Sequence, residues 1–404
     1  MTSESTASAA LGNLRVLDIS TFVSAPFAAA CLAEFGAEVV KIEKPGAGDS
    51  LRQLGTPSAT GDTYFWLSEA RNKKCVTLDL RKPQGGDLFR RMVKKADVVI
   101  ENFRPGTLEK WELGFTDLLA INPGLVMLRI SAYGEKGPKS HLPGFARIAQ
   151  AYAGLTYLVG RSDTPPLIAG STTLADYISG LYGAFGILIA LRVRDRTGRG
   201  QYIDIGLHDG IFRFLDEIAS VYDKTGEVRE RMGTETPSST PHSHYPTKDG
   251  KWVAIACTTD KMFERLAKVM AQPDLARYDR YRTKTKRLSA REQINQIVSE
   301  WTSKLDRDVV INQCCDGDVP CGPVNSIAEI FAEEQFWVRD TLTRVAHGDI
   351  GDLAVPGVVP RLSATPGKIR HLGGRLGENN SDVFRDWLNI GESELVALEK
   401  SGVI

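Results

Sequence analysis

The chain has 404 residues, of which 42% are hydrophobic, and its 50 basic side chains balance 50 acidic ones. This length exceeds what one hydrophobic core usually fills, so two domains are expected. The balanced charge argues against nucleic acid or a membrane surface as the main partner.

The first half of the chain alternates β-branched runs with helical segments. Buried strands are predicted at 14–19, 38–42, 76–80, 98–101 and 125–131. Intervening helices are predicted at 26–35, 83–96 and 144–152. This alternation predicts a mostly parallel, doubly wound sheet with helices on both faces. Ligands of such sheets bind beyond the carboxyl ends of the strands, so the loops there are expected to carry the chemistry.

The loops after these strands carry no standard nucleotide-binding or hydrolase motif. They read Ser24-Ala-Pro26, Glu43-Lys-Pro-Gly-Ala-Gly-Asp49, Asn102-Phe-Arg-Pro-Gly106 and Ser131-Ala-Tyr-Gly134. No GxGxxG follows the first strand, and neither GxxxxGK[ST] nor GxSxG occurs in the chain. These absences argue against a nicotinamide dehydrogenase, a P-loop NTPase and an α/β-hydrolase.

A single carboxylate, Asp176, is predicted in the first turn of a long buried helix. The segment Gly170-Ser-Thr-Thr-Leu-Ala-Asp176 precedes an apolar run at 177–191 and then Arg196-Thr-Gly-Arg-Gly-Gln201. With Thr173 as the N-cap, Asp176 is the third helical residue, where free backbone N–H groups and the helix dipole stabilise negative charge. Two roles stay open for this side chain, a helix cap or a reactive carboxylate. The longest apolar stretch, at 181–191, is too short to span a bilayer.

The second half of the chain changes character after a strand at 201–206 and a helix at 211–222. A polar, proline-rich segment at 227–249 indicates a crossing into a smaller domain. That domain is predicted to contain a strand at 252–256 and helices at 261–270 and 290–305.

Cysteine and histidine spacing predicts no metal site. The six cysteines form no CxxC pair, and His242-Ser-His244 has no accompanying set of ligands. The basic run at 277–291 is interpreted as a solvated surface, not as a nucleic-acid site. The first thirteen residues are polar, without a basic side chain, so no targeting signal and a cytoplasmic protein are expected.

Several segments share the order and spacing of a known family. They are Leu14-Arg-Val-Leu-Asp18, Gly36-Ala-Glu-Val-Val-Lys-Ile-Glu43, Gly46-Ala-Gly-Asp49, Asn72-Lys-Lys74, Asp97-Val-Val-Ile-Glu-Asn-Phe-Arg-Pro-Gly106, Arg196-Thr-Gly-Arg-Gly-Gln201 and Val319-Pro-Cys-Gly-Pro-Val324. From about Leu11 to the C-terminus the chain resembles the class III CoA-transferases. This family includes formyl-CoA:oxalate and carnitine CoA-transferases and, on the same fold, α-methylacyl-CoA racemase.

The resemblance implies an α/β fold with a large Rossmann-like domain built from both chain ends, a smaller α+β domain and an interlocked homodimer. Residues 1–226 are then the first part of the large domain and 227–329 the small domain. Residues 330–404 are then a linker and the return to the large domain.

The resemblance also makes Asp176 the nucleophile. Its carboxylate attacks an acyl-CoA thioester to give an aspartyl anhydride, which CoA thiolate converts to an aspartyl-CoA thioester. The acceptor acid attacks that thioester, and CoA resolves the second anhydride. The substrates are CoA thioesters and short carboxylic acids, with no tightly bound cofactor. The helix start is expected to keep Asp176 ionised at neutral pH.

The phosphates of CoA require cationic side chains, and its adenine requires space. The positions that match the family's CoA groove are Lys44, Asn72, Lys73, Lys74, Asn102, Phe103, Arg104, Lys110 and Tyr133.

Three departures separate this chain from some relatives. Phe145 stands where the racemases carry a histidine, and a phenyl ring cannot exchange a proton. The glycine run of the oxalate enzymes is missing around 233–239. The segment at 236–246 instead resembles the branch that transfers CoA from succinyl-CoA to malate, citramalate or mesaconate. Substrate-pocket candidates, including cations for a second carboxylate, are Ser24, Arg52, Arg71, Arg147 and His242.

The leading prediction is therefore a CoA-transferase that moves CoA from an acyl-CoA, with succinyl-CoA as the expected donor, to a short dicarboxylic acid. Alternatives are intramolecular transfer between the carboxyls of one dicarboxylate, an acyl-CoA racemase, and a non-catalytic acyl-CoA-binding protein.

Overall fold

The computed structural model describes residues 9–404, which form two compact units. The first contains the chain up to Thr156, Ile168–Lys224 and Gln335–Ile404, and the second contains Tyr157–Leu167 and Thr225–Glu334. The predicted division lies close to these limits, but it left 157–167 in the first domain. That segment joins the second unit through a β-bridge between Arg161 and Met232. The tail that bears on targeting lies mostly outside the described residues.

The first unit is built on a six-stranded, fully parallel sheet of order β3-β2-β1-β4-β5-β6. Its strands are β1 Arg15–Asp18, β2 Glu38–Glu43, β3 Lys73–Thr77, β4 Val98–Glu101, β5 Val126–Ser131 and β6 Tyr202–Gly206. This is the Rossmann strand order, in which the direction of winding reverses between β1 and β4. The predicted α/β fold with a Rossmann-like sheet is confirmed.

Both faces of the sheet are buried, which explains the apolar runs of its strands. Leu17, Val40 and Val99 belong to the hydrophobic core on one face. Their neighbours in sequence, such as Val16 and Val39, belong to the core on the other face. Side chains alternate between the two cores because successive residues of a strand point to opposite faces.

The remaining strands are antiparallel. In the second unit they form a three-stranded sheet of order β7-β8-β9, and the first unit carries a separate hairpin, β10-β11. Their bounds are β7 His242–Pro246, β8 Trp252–Ala256, β9 Cys321–Pro323, β10 Leu342–His347 and β11 Gly351–Pro356. The second unit has its own core around Val253, Phe263 and Val298.

Eighteen helices connect these strands within the described residues. They are α1 Ser24–Glu34, α2 Tyr64–Glu69, α3 Pro83–Val93, α4 Thr107–Lys110, α5 Phe115–Ile121, α6 Ala146–Tyr152, α7 Leu155–Leu158, α8 Leu174–Thr197, α9 Leu207–Arg213, α10 Ile218–Thr225, α11 Asp260–Val269, α12 Lys284–Ser289, α13 Arg291–Thr302, α14 Arg307–Asp316, α15 Ile327–Ala332, α16 Glu334–Val338, α17 Asn380–Leu388 and α18 Glu392–Lys400.

Two predicted elements were wrong in ways that matter for the site. The third strand begins at Lys73, three residues before the predicted start at 76, so Lys73 and Lys74 are strand residues. The helix predicted at 211–222 is two helices, α9 and α10, because the chain turns between them through Asp216 with a φ of 56°.

The end of the chain completes the large sheet. β3 is an edge strand, and an edge strand leaves backbone groups without a partner strand. The side-chain oxygen of Asn379 accepts a hydrogen bond from the Cys75 amide at 2.8 Å, and that of Asn380 accepts one from the Thr77 amide at 2.8 Å. The C-terminal segment therefore belongs to the first unit.

α8 is less buried than its apolar sequence suggested. Ala184, Ile187 and Ala190 pack into the core, whereas the opposite face is exposed. That exposed face consists of Leu181, Phe185, Leu188 and Ile189. α8 has 24 residues and contains an 18-residue window with a mean hydropathy of 1.6, so it is the one described helix long and apolar enough to cross a membrane, although the predicted apolar stretch was shorter. Core helices of soluble proteins also meet this criterion.

Candidate active site

A cavity of about 410 Å³ lies at the carboxyl ends of β1, β4 and β5. The loops after β1 and β4, on either side of the point where the winding reverses, form two of its walls. Doubly wound sheets bind ligands at this point, because the loops diverge there. The cavity is lined by Thr21, Phe22, Val23, Ser24, Leu54, Asn102, Phe103, Arg104, Pro105, Ile130, Ser131, Ala132, Leu142, Pro143, Gly144, Phe145, Ala146, Arg147, Thr173, Asp176 and Leu207.

Asp176 lies in this cavity as the third residue of α8, and Thr173 occupies the N-cap position. The Thr173 hydroxyl makes no hydrogen bond of normal geometry among the described residues. Burial raises the pKa of Asp176 to about 7. At pH 7 the carboxyl is therefore only about half ionised, less than the helix start led us to expect, because desolvation by burial is the largest influence on its pKa.

The raised pKa predicts a pH-dependent first step. If ionised Asp176 is the nucleophile, kcat/KM for the acyl-CoA should fall about tenfold per pH unit below 7 and level off above about 8. Initial rates between pH 5.5 and 8.5 measure this profile. CoA affinity of the Asp176→Ala variant over the same range corrects for titration of the ligand. A flat profile down to pH 5.5 would contradict the role of the burial-shifted carboxylate.

Two arginines are the other charged residues of the cavity lining. Arg104 follows β4, and Arg147 lies in the first turn of α6. Both are exposed, and neither forms an ion pair with any residue that the structure describes. The cavity thus contains one carboxylate with a raised pKa and two available guanidinium groups.

A second cavity, of about 250 Å³, shares Thr21 and Phe103 with the first. It lies beyond the ends of β1, β2 and β3 and is lined by Ile19, Ser20, Thr21, Lys41, Ile42, Glu43, Lys44, Gly48, Asp49, Leu78, Asp79, Leu80, Arg81, Phe103 and Trp111. Phe103 and Trp111 form an edge-to-face pair with ring centroids 5.5 Å apart. The two cavities adjoin, and the second combines apolar side chains with three cations and three carboxylates, which are Lys41, Lys44, Arg81, Glu43, Asp49 and Asp79.

Sequence reasoning missed Arg81 and Trp111 in this second cavity. The misplaced third strand was predicted to run to Leu80, so the segment after Thr77 was not considered as a loop beyond a strand end. A strand predicted at Lys73–Thr77 would have placed Arg81 in the loop beyond its carboxyl end. Arg81 is half exposed and is paired at 2.7 Å with the buried Asp79, so its guanidinium remains accessible to an anionic ligand.

The predicted CoA residues Asn72, Lys73 and Lys74 line neither of these cavities, because they lie at the amino end of β3. Asn72, with φ of 62°, binds the backbone at Lys368 and Arg370. The fully buried ammonium of Lys73 contacts Asp18 at 2.9 Å and the Pro26 carbonyl at 2.7 Å, and Lys74 pairs with Glu38. In this structure all three side chains already have partners within the chain.

Of the other predicted CoA residues, some line one or both of these cavities and some line neither. Lys44 lines the second cavity, Arg104 the first, and Phe103 both. Asn102 lines the first and also exchanges two hydrogen bonds with the Thr21 backbone, so it positions the β1 loop. Lys110 and Tyr133 line neither cavity. Lys110 is exposed at the end of α4, and Tyr133 packs against Tyr152 and His208.

Two of the five substrate-pocket candidates line the cavity with Asp176, and three do not. Ser24 and Arg147 line the cavity with Asp176. Arg52 is held by Glu43 at 2.7 Å and stacks on Trp66, and Arg71 is held by Glu34 at 2.9 Å. His242 is a residue of β7 in the second unit. The described residues contain no cluster of three metal-ligating side chains.

A parallel α/β enzyme with one carboxylate and two available arginines at its switch point is suited to transferring acyl groups borne by an anionic carrier. The chain belongs to CoA-transferase family III, whose model matches residues 11–380. The predicted family and enzyme class are confirmed.

Known proteins agree with this assignment along almost the whole chain. The succinyl-CoA–L-malate CoA-transferase alpha subunit of Chloroflexus aurantiacus is 50% identical, over 98% of this chain and 92% of the relative. The succinyl-CoA–D-citramalate CoA-transferase of the same organism is 39% identical, over 98% of each chain. The crystal structure of a CaiB/BaiF family protein from Brucella suis superposes with a TM-score of 0.84 at 30% identity, covering 94% of this chain and all of that one.

Proposed function

We propose that this protein transfers CoA from succinyl-CoA to a short dicarboxylic acid, with Asp176 as the nucleophile. The observation that carries the proposal is the position of Asp176 in a cavity at the switch point of the sheet, whose lining also contains Arg104 and Arg147. Relatives named for succinyl-CoA and for malate or citramalate support the substrate class.

The first half of the reaction loads the enzyme with CoA. An oxygen of ionised Asp176 attacks the thioester carbonyl of succinyl-CoA, and the C–S bond breaks to release CoA thiolate. The product is an anhydride between Asp176 and succinate. The thiolate then attacks the aspartyl carbonyl, succinate leaves with the bridging oxygen, and Asp176 becomes a CoA thioester.

The second half reverses these steps with the acceptor. A carboxylate of the acceptor attacks the aspartyl thioester, expelling thiolate and forming a second anhydride. The thiolate attacks the acceptor's carbonyl, so the bridging oxygen stays on Asp176 and the new CoA ester leaves. No net proton is consumed, and each intermediate retains an activated acyl bond. The raised pKa of Asp176 favours this cycle, since a buried carboxylate is less stabilised by water and more nucleophilic.

The adjoining cavities support a placement for CoA. The acylated end belongs beside Asp176, and the nucleotide belongs in the second cavity, where Lys44 and Arg81 offer cations to its phosphates. Phe103 and Trp111 offer an aromatic wall to the adenine. Arg104, next to Phe103 in the chain, is then placed between the two ends. CoA thioesters are substrates in this scheme, and no tightly bound cofactor is required.

Two related activities are alternatives. Intramolecular transfer between the carboxyls of one dicarboxylate uses the same residues but needs no free acceptor. A racemase requires a group that exchanges a proton at the α-carbon. Phe145, at the position of the racemase histidine, lines the cavity and cannot supply it.

Isotope exchange tests the proposal. The protein is incubated with succinyl-CoA and ¹³C-succinate, and then with each of a panel of short mono- and dicarboxylic acids, with mass spectrometry of the CoA esters. We expect label in succinyl-CoA and a new CoA ester only when an acceptor is added. Product without an acceptor indicates the intramolecular reaction, and deuterium uptake at the α-carbon in heavy water indicates a racemase. Tight CoA binding without any exchange would overturn the proposal.

We also propose that the chain forms a homodimer. The exposed apolar face of α8, from Leu181 to Ile189, is the kind of surface that partners bury. Light scattering after gel filtration should give about twice the 44.3 kDa of one chain. The malate relative is named as an alpha subunit, so the alternative is an oligomer with a different chain. If this chain by itself is a monomer, that alternative is favoured. A cytoplasmic location stays a prediction, which cell fractionation tests.

A further inference from the structure

The cavity around Asp176 contains two arginines, Arg104 and Arg147, for one carboxylate. A CoA thioester carries its phosphates at one end, far along the chain from the acyl group. Arg104 neighbours Phe103, which also lines the second cavity, so Arg104 lies toward the proposed phosphate end. Arg147 belongs to α6, and none of the second cavity's lining residues comes from that helix.

The surroundings of Arg147 suit the acyl end of a substrate. Its neighbours in the lining are Leu142, Pro143 and Phe145, and the Phe145 ring packs edge to face on Phe22 with centroids 5.6 Å apart. These side chains give this part of the lining an apolar surface. The guanidinium of Arg147 has no ion-pair partner among the described residues, so an incoming carboxylate meets no competitor.

The cavity lining also contains a buried hydroxyl that an oxygen of a ligand can satisfy. Ser131, the last residue of β5, is 6% exposed and lines the cavity, and its hydroxyl has no hydrogen-bond partner among the described residues. A buried hydroxyl without a partner is costly, and a ligand oxygen removes that cost. Arg52 and Arg71, the other arginines considered for this role, are already held by carboxylates.

We propose that Arg147 binds the carboxylate that is not activated, both in the succinyl donor and in the acceptor acid. This inference rests on the proposed function and names the residue that selects dicarboxylic over monocarboxylic substrates. Since donor and acceptor acyl groups occupy the same place in turn, one arginine selects dicarboxylates in both halves of the reaction. A monocarboxylate of equal length leaves Arg147 unpaired and is the weaker substrate.

Paired donors test the assignment. We compare kcat/KM for succinyl-CoA and butyryl-CoA, which differ by one carboxylate, in the wild type and in Arg147→Gln. The ratio should favour succinyl-CoA in the wild type and fall about 10- to 100-fold in Arg147→Gln, because a charge-assisted hydrogen bond is lost. Arg147→Lys should recover part of the ratio. Arg104→Gln should lower both values together, since the CoA part is common to both donors.

Binding gives a readout that does not depend on turnover. In the Asp176→Ala background, titration calorimetry with the same two thioesters should show a preference for succinyl-CoA that Arg147→Gln removes, with CoA affinity itself unchanged. An unchanged preference in this background, or an unchanged kinetic ratio, overturns the role of Arg147. A wild type that binds both thioesters but transfers from neither refutes the proposed function, and the calorimetric comparison still decides the role of Arg147.

Discussion

Asp176→Ala should abolish CoA transfer, with a loss of at least about 1,000-fold in kcat, while CoA still binds with nearly wild-type affinity. Every step of the proposed cycle forms or breaks a bond to this carboxylate, and no other carboxylate lines its cavity in the structure described for residues 9–404. Steady-state exchange of labelled succinate into succinyl-CoA measures the loss, and calorimetry with CoA measures the binding.

The variant should also fold. Burial raises the pKa of Asp176, so the folded protein holds this proton more tightly than the unfolded chain does, and deprotonation destabilises the fold. The unfolded carboxyl ionises near pH 4, so this cost develops as the pH rises from about 4 and is fully present above about 7. Asp176→Ala and Asp176→Asn should therefore melt at the wild-type temperature or above it at pH 8, and the advantage should shrink at pH 5.

A matched control lies on the same helix. Asp195 is exposed near the end of α8, and Asp195→Ala should keep full activity. Retained transfer in Asp176→Ala, with Asp195→Ala equally active, would remove Asp176 from the mechanism. Loss of activity together with loss of the thermal transition would show a structural role instead.

Lys73→Met should destabilise the protein by about 3 kcal/mol, whereas Lys74→Met should cost less than about 1 kcal/mol. The ammonium of Lys73 is buried against Asp18 and the Pro26 carbonyl. Burial alone would raise the pKa of Asp18, but Lys41 and Lys73 outweigh it and hold that pKa below its usual range. Removing Lys73 leaves the buried Asp18 carboxylate with hydrogen bonds from Ser20 and with Lys41, at 3.8 Å, as its nearest cation.

Lys74 is the natural control for this experiment. It is the next residue in the chain, has the same chemistry, and pairs with Glu38 at a half-exposed position. Urea unfolding of both variants, with CoA titrations, separates fold from function. A Lys73→Met protein with wild-type stability but lost CoA affinity would support the role in CoA binding that the family resemblance implied, and would contradict the buried ion pair.

The sheet and the nucleophile could be predicted from sequence because both rest on local patterns. Apolar strands alternating with helices gave the parallel sheet, and a run of Ser171, Thr172 and Thr173 before apolar residues gave the start of α8. The run Cys75 to Leu80 was ambiguous, since its residues suit a strand in several registers. Asn379 and Asn380, some three hundred positions away, cap the edge of β3, and no local pattern contains that contact.

The electrostatics of the site could not be predicted in the same way. Asp176 was expected to be ionised because a helix start favours negative charge. Its pKa is instead set by how much water the loops after β1, β4 and β5 exclude, which is a property of the folded chain. The same applies to three arginines that the sequence made equal candidates. The fold buries Arg52 and Arg71 against carboxylates and leaves Arg147 exposed.

The path of oxygen through Asp176 tests the central claim most directly. In the proposed cycle the acceptor's carboxylate oxygen becomes the bridge of the second anhydride and stays on Asp176 when CoA leaves. Turnover with succinyl-CoA and an ¹⁸O-labelled dicarboxylate should therefore place ¹⁸O in the peptide that contains Asp176, and labelled acid without succinyl-CoA should place none. An unlabelled Asp176 after many turnovers would contradict covalent catalysis by this residue.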